Sequence, residues 1–320
     1  MLALLAGIAI ARRPARFIRG FLILLVPLAL LDQSRWQPWV VQYAVMFGAL
    51  LIDRDESAAL HACRLFMICT YFYSGLEKLG HGFTTVLPDV LGPLSDLLHL
   101  DVSSLSDSSL LALAVTFALI ECASGIMLAF GRTRRIAVVC LVLMHLLLLW
   151  WLGPLGTNWN YVVWPWNIAM IGLLVLLFWS PTPWTPRDLL GKHRYGCFVG
   201  VAFGILPILT LAGFWDSYLG FSLYTGNIKR AVVRIPSERI ADLPHPIREY
   251  TLPDGTVDID RWSYSELGVP IYPETRIFVS AGKQVARWLG SDAGVRVVEL
   301  GRPNPFTGER RSTTIDLHAR

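Results

Sequence analysis

Lys78, Glu121, His145 and Asn167 are chemically capable side chains in surroundings that otherwise hold almost none. Each falls in or at the end of a long apolar segment. An ionisable side chain deep in such a segment costs at least about 2.5 kcal/mol on insertion scales, so it turns to the bundle interior and finds a partner. Lys78 is next to last in the stretch Tyr71–Leu79, Y-F-Y-S-G-L-E-K-L, at the mouth of a span. A lysine there is either an interfacial anchor or the start of chemistry: where water is scarce an amine releases its proton more readily and becomes a usable base. Glu77, next along the helix, points about 100° away.

Depth follows from a rise of about 1.5 Å per residue, which puts Tyr71, Glu121, His145 and Asn167 near the midplane. A Glu121–His145 hydrogen bond between sequential spans is the expected pairing, as a helix clamp, a proton relay or a ligand anchor. Haem is not expected, because His61 lies near the inner surface and leaves His145 without a counterpart. No metal site is expected either, for there is no H-E-x-x-H and no cluster of Cys and His.

The loop Gly153–Asn167, G-P-L-G-T-N-W-N-Y-V-V-W-P-W-N, is the second unusual stretch. Pro154 and Gly156 break the fifth span. Pro165 is expected inside the sixth, where its missing N–H frees a carbonyl. Trp159 suits an interfacial belt, whereas Trp164 and Trp166 beside Asn167 read as the wall of a pocket. Flat aromatic walls with a few polar anchors suit a planar lipophilic ligand such as a quinone. The candidate set is therefore Lys78 as the catalytic residue, with Tyr71, Glu121, His145, Trp164, Trp166 and Asn167 as ligand-binding residues.

The elements that must position these residues are membrane helices. Apolar residues make up 54% of the chain and charged residues only 16%, and a mean hydropathy of +0.49 lies far from that of a soluble domain. About 20 apolar residues cross a bilayer. Seven segments come close: Phe17–Leu31, Trp36–Ile52, Ala58–Leu79, Ser108–Phe130, Ile136–Leu152, Asn158–Trp179 and Tyr195–Gly213. Met1–Ala11 reads as the inner end of a further span whose beginning is missing, or as an interfacial stub. The fold class expected is an all-α polytopic bundle of about seven spans over residues 1–215, followed by a small soluble α+β domain over residues 216–320.

Basic residues alternate between loops. Arg12, Arg13, Arg16 and Arg19, then Arg54, then Arg132, Arg134 and Arg135, then Arg187, Lys192 and Arg194 mark one side. That side is cytoplasmic by the positive-inside rule, which places the C-terminal domain outside a plasma (inner) membrane. No basic stripe with interleaved aromatics suggests nucleic acid. Cys63, Cys69, Cys122, Cys140 and Cys197 all fall in spans, none in a C-x-x-C, and read as structural thiols.

In the last hundred or so residues, Ile228–Ile235 alternates like a strand and Glu274–Leu289 has helical spacing. Val295–Leu300 is expected to pair with Ser312–Leu317 across P-N-P-F-T-G. His245 and His318 read as surface residues. Asp216 and Asn227, in the aromatic junction Phe214–Asn227, are placed to lean into whatever opens there.

Y-F-Y-S-G-L-E-K-L resembles the segment of vitamin K-dependent gamma-carboxylases and the wider HTTM membrane family in which Y-F-x-x-G-x-x-K-L ends a span on its outer side. That resemblance implies a base at Lys78 acting on a hydroquinone. The outer domain is too small for the family's propeptide- and substrate-binding part, so carboxylation of protein glutamates is not expected. A second run, E-C-A-S-G-I-M-L-A-F-G-R-T-R-R from Glu121 to Arg135, is similar to the E-x-x-x-G-x-x-L-x-x-G-x-x-x-R run of DoxX-like membrane proteins, some relatives of which act with quinones. Two functions from different classes follow: a quinone-binding oxidoreductase-type enzyme with Lys78 as base, or a non-catalytic membrane carrier or assembly partner in which the midplane pair is structural. Proline-broken spans also suit a transporter, but no internal repeat accompanies them.

Overall fold

The structure is a computed structural model that describes all residues except 53–54, 100–101, 181–182, 190–193, 291–293 and 318–320. Arg54, Lys192 and His318 therefore lie outside the described residues. The chain runs through α1 (Leu2–Ile10), α2 (Ala15–Leu31), α3 (Pro38–Ile52), α4 (Glu56–Leu76), α5 (Leu87–Leu98), α6 (Asp107–Leu128), α7 (Arg134–Leu152) and α8 (Trp164–Leu174). Short α9 (Pro186–Leu189) leads to α10 (Arg194–Val199). Both α8 and α10 loosen into π-helical turns, over Val175–Trp179 and Gly200–Ile205. The C-terminal part then adds β1 (Arg230–Arg234), α11 (His245–Arg248), β2 (Thr256–Val257), α12 (Ile259–Leu267), α13 (Thr275–Leu289), β3 (Arg296–Pro303) and β4 (Arg310–Asp316).

Among the described residues, three helices are long and apolar enough to cross a membrane: Asp107–Leu128, Arg134–Leu152 and Tyr161–Trp179. Pro38–Ile52 and Arg194–Thr210 are shorter apolar helices. Local chemistry sets the helix starts, with Asp55 accepting from the Ser57 N–H and Ser106 from the Ser109 N–H. Pro165 corrects an expectation. It sits in the first turn of α8, where an unpartnered N–H is the rule, so it frees no carbonyl.

Helices α4 and α6 approach each other backbone to backbone. A Cβ on Gly75 would stand 2.5 Å from the Cys122 backbone nitrogen, and one on Gly125 would stand 2.7 Å from that of Phe72. Only glycine permits backbones this near each other. The contact fixes α6 against α4 in one register, and the site is built on it.

Arg134, read from sequence as a loop charge, is buried. Its guanidinium lies 3.5 Å from the Trp184 ring centroid and donates to the Leu128 carbonyl. Arg64 joins the same cluster, donating to the Leu177 carbonyl, with His61 Nδ1 at 3.2 Å. None of the five cysteines forms a disulfide; Cys63, Cys69 and Cys122 are buried, whereas Cys197 is exposed.

The C-terminal strands form one antiparallel sheet in the order β2-β1-β3-β4. β3 pairs with β4 in the expected hairpin, with Val297 opposite Ile315 and Leu300 opposite Ser312. Val233, Val297, Phe278 and Val285 form the core between sheet and helix. Asp216 anchors this part to the junction: it accepts from the Tyr272 hydroxyl at 2.6 Å and pairs with Arg276. Burial, and then the Asp216 charge, push the Tyr272 hydroxyl above its ordinary pKa. His245 is exposed beside Glu249.

The β3–β4 turn docks on the end of α4. His81 donates its N–H to the Pro305 carbonyl at 3.1 Å. Arg302 donates to Glu77 Oε2 and to the Thr210 carbonyl, Ser222 donates to Glu77 Oε2 at 2.8 Å, and Asn227 donates to the Glu77 backbone carbonyl. Asn227 and Asp216 are thus committed to holding the junction, and neither lines the cavity described next.

Candidate functional site

A cavity of about 360 Å³ lies between α4, α6, α7 and α8. Its walls are mostly apolar: Phe117, Leu141, Met144, Leu147, Leu148 and Met170, with Phe221 and Leu223 from the junction. Polar groups gather in two sets on this background.

The first set is an ion pair. Lys78 follows the last turn of α4 but does not reach for open water. Its Nζ donates to Glu121 Oε2 at 2.8 Å and to Ser74 Oγ at 2.7 Å, and it stands 6.0 Å from the Phe83 ring centroid. The two charged side chains are only 12% and 8% exposed. Ser74, one helical turn before Lys78, is a site residue that the sequence reading missed; its spacing of four residues was the available signal.

The second set is a directed chain. The Val163 carbonyl can only accept, so Asn167 Nδ2 donates to it at 2.9 Å. Asn167 Oδ1 then accepts from His145 Nδ1–H at 2.7 Å, and His145 Nε2 is left to accept from the Tyr71 hydroxyl at 2.8 Å. The backbone carbonyl thereby selects the Nδ1–H tautomer of a neutral imidazole. His145 and Tyr71 are both buried.

The expected Glu121–His145 bond is therefore corrected. Close approach of α4 and α6 through Gly75 and Gly125 brings Glu121 to Lys78 on its neighbouring helix, and His145 is satisfied by Tyr71 and Asn167 instead. Of the candidate residues, Lys78, Tyr71, Glu121, His145, Trp166 and Asn167 line one cavity. Trp164 does not. It packs with Trp151, Leu152 and Val163, and its indole N–H donates to the Trp159 carbonyl; starting the helix at Trp164 turns that ring away. Trp166 is held by a bond from its indole N–H to Gln42 Oε1 at 3.0 Å and by Trp39, 5.8 Å away.

The sequence reading also missed the roof. Phe83 precedes α5, whose buried residues are Leu87, Val90 and Leu91; Phe83, Leu87 and Val90 all line the cavity. Leucines on one face and Asp89 and Asp96 on the rest of this short segment were the available signal. Among the described residues no group of three or more His, Cys, Asp or Glu side chains gathers as a metal site would.

The apolar helices and the buried polar sets between them define a multi-pass membrane protein. The family model described as DoxX matches residues 59–154, from α4 through the end of α7, so this segment is DoxX-like. Lys78, Glu121 and His145 all fall within it. No curated protein and no solved structure matches the chain.

Proposed function

We propose that this cavity binds a planar, lipid-soluble ligand of the quinone or quinol class and that Lys78 serves as the base toward it. The observation that carries the reading is a largely buried ammonium–carboxylate pair, Lys78 and Glu121, lining an otherwise mostly apolar cavity that the Tyr71–His145–Asn167 chain also lines. These residues fit such a group: Lys78 donates to a ligand oxygen, Glu121 accepts from a hydroxyl, and Trp166 and Phe117 supply flat walls. The bound ligand would supply two-electron redox chemistry at ring oxygens. The chain's own part is proton handling. The Lys78 ammonium passes one proton to the Glu121 carboxylate across their 2.8 Å contact, and the free amine then takes a proton from a ligand hydroxyl, which restores the ammonium. The HTTM and gamma-carboxylase resemblance of Y-F-Y-S-G-L-E-K-L agrees with this role.

The reading includes a topology of about seven spans across a plasma (inner) membrane, residues 1–215 forming the bundle and residues 216–320 an extracytoplasmic domain. Exposed Arg132 and Arg135 at the α6–α7 turn, at the opposite end of α6 from the roof, support that orientation.

The test is binding of a decyl-tailed benzoquinone and its quinol to the purified protein in lipid nanodiscs. Binding by the wild type that Lys78→Met weakens at least about tenfold, an interaction loss of about 1.4 kcal/mol, is the expected result. Equal binding by both proteins defeats the role of Lys78.

One observation favours a second reading, a non-catalytic carrier or assembly partner. The donors and acceptors of Tyr71, His145 and Asn167 already satisfy one another, as a helix clamp requires. On that reading Glu121→Gln lowers thermal stability and leaves ligand binding unchanged.

A further inference from the structure

The geometry points to lateral entry: the ligand reaches the cavity from the bilayer, between α6 and α7, and only its polar ring goes in while an alkyl or isoprenoid tail stays in the lipid. This rests on the reading of the cavity as a lipophilic-ligand site and specifies the class of ligand it takes.

Three observations carry it. First, the lining residues that are exposed are Ile120, at 51%, and Leu143, at 60%. They sit on α6 and α7, neighbouring helices apolar enough to cross the membrane, so what they face there is lipid and the opening is a slot in the side of the bundle. Second, the other end is closed. Phe83, Leu87 and Val90 of the roof and Phe221 of the junction are all buried, and all line the cavity. A water-borne ligand would have to part this apolar layer, whereas a lipid-borne one meets Ile120 and Leu143 directly. Third, about 360 Å³ stands at the small end of ligand cavities, roughly 300–1,000 Å³. That volume suits a substituted ring and leaves no room for a long tail, which must leave by the open side.

Charge placement agrees. Glu121 follows Ile120 directly in the chain, with its carboxylate inside and the isoleucine side chain outside. A ring passing the slot therefore meets the Lys78–Glu121 pair just behind the entrance, and its tail trails past Leu143.

The test compares wild type with Ile120→Trp and Leu143→Trp in nanodiscs, measuring association of a radiolabelled decyl-tailed benzoquinone. Leu119→Trp and Leu146→Trp are the controls, since Leu119 and Leu146 are comparably exposed on the same helices but do not line the cavity. Narrowing the slot is expected to slow association of the tailed probe by about tenfold or more, with unchanged melting temperature, while the controls bind like wild type. Association that the slot variants leave unchanged, with wild-type binding intact, overturns lateral entry and spares the site. Failure of the wild type to bind the tailed probe or its tail-less benzoquinone counterpart overturns the site reading and lateral entry together. Binding of the tail-less ring alone overturns the tailed-ligand class.

Discussion

At the scale of single residues, Lys78 and Glu121 are worth more as a pair than either is alone. Breaking a buried pair by removing one partner costs about 3–5 kcal/mol, because the remaining charge loses its compensation. Glu121→Gln is therefore expected to lower the melting temperature in detergent clearly, whereas the double variant Lys78→Met/Glu121→Leu, which removes both charges, recovers most of the loss. Thermal denaturation of the three proteins side by side checks this; a double variant as unstable as the single one would mean that the pair is not the source of the cost. Tyr71→Phe is expected to cost about 1–3 kcal/mol, since it leaves buried His145 Nε2 without its donor. The same melting assay reads that loss, and a variant as stable as wild type would break the directed chain derived from the Val163 carbonyl.

At the scale of elements, the α4–α6 contact decides which polar residues meet. Gly75→Ala places a Cβ against the Cys122 backbone, which cannot move aside as a flexible side chain would, and it is expected to lower the melting temperature. Gly172→Ala in α8 meets nothing within 4 Å and is expected to be neutral or to stabilise by about 0.5–1 kcal/mol through helix propensity. If the two behave alike, the close approach is not what sets the register. This contact also explains what was legible in the sequence. Lys78, Tyr71, Glu121, His145, Trp166 and Asn167 stand out because polar or indole groups deep in apolar segments must face inward. Their partners are less legible, since pairing depends on which helices touch and in what register. Sequential spans suggest Glu121 with His145, but the glycines that bring Glu121 to Lys78 act through backbone distance, which no residue pattern displays. The roof helix α5 is too short to register as a span, and Trp164 and Trp166 differ only in where helix α8 begins. The β3–β4 hairpin was readable because alternation and a turn motif are both local signals.

At the scale of the whole molecule, the C-terminal sheet is tied to the residue beside Lys78. Glu77 is fully buried in its side chain and is held by Arg302 of β3, with Ser222 and Asn227 completing the grip. Arg302→Met leaves that carboxylate without its counter-charge and is expected to release the hairpin from the end of α4. Limited proteolysis should then cut the Pro303–Gly308 turn faster. Arg296→Met is the control: Arg296 and Asp316 form an exposed pair on the same sheet, worth about 0–1 kcal/mol, and its loss should leave the digestion pattern unchanged. Equal digestion of the two variants would mean that Arg302 does not anchor the sheet. The role proposed for Lys78 depends on a lipophilic ring occupying the cavity beside it. The most direct measurement is organic extraction of the detergent-purified protein, wild type and Lys78→Ala, with mass spectrometry of what is released. A near-stoichiometric tailed quinone from the wild type, lost from the variant, is the expected result. Equal amounts from both proteins, or no quinone from either, would contradict it.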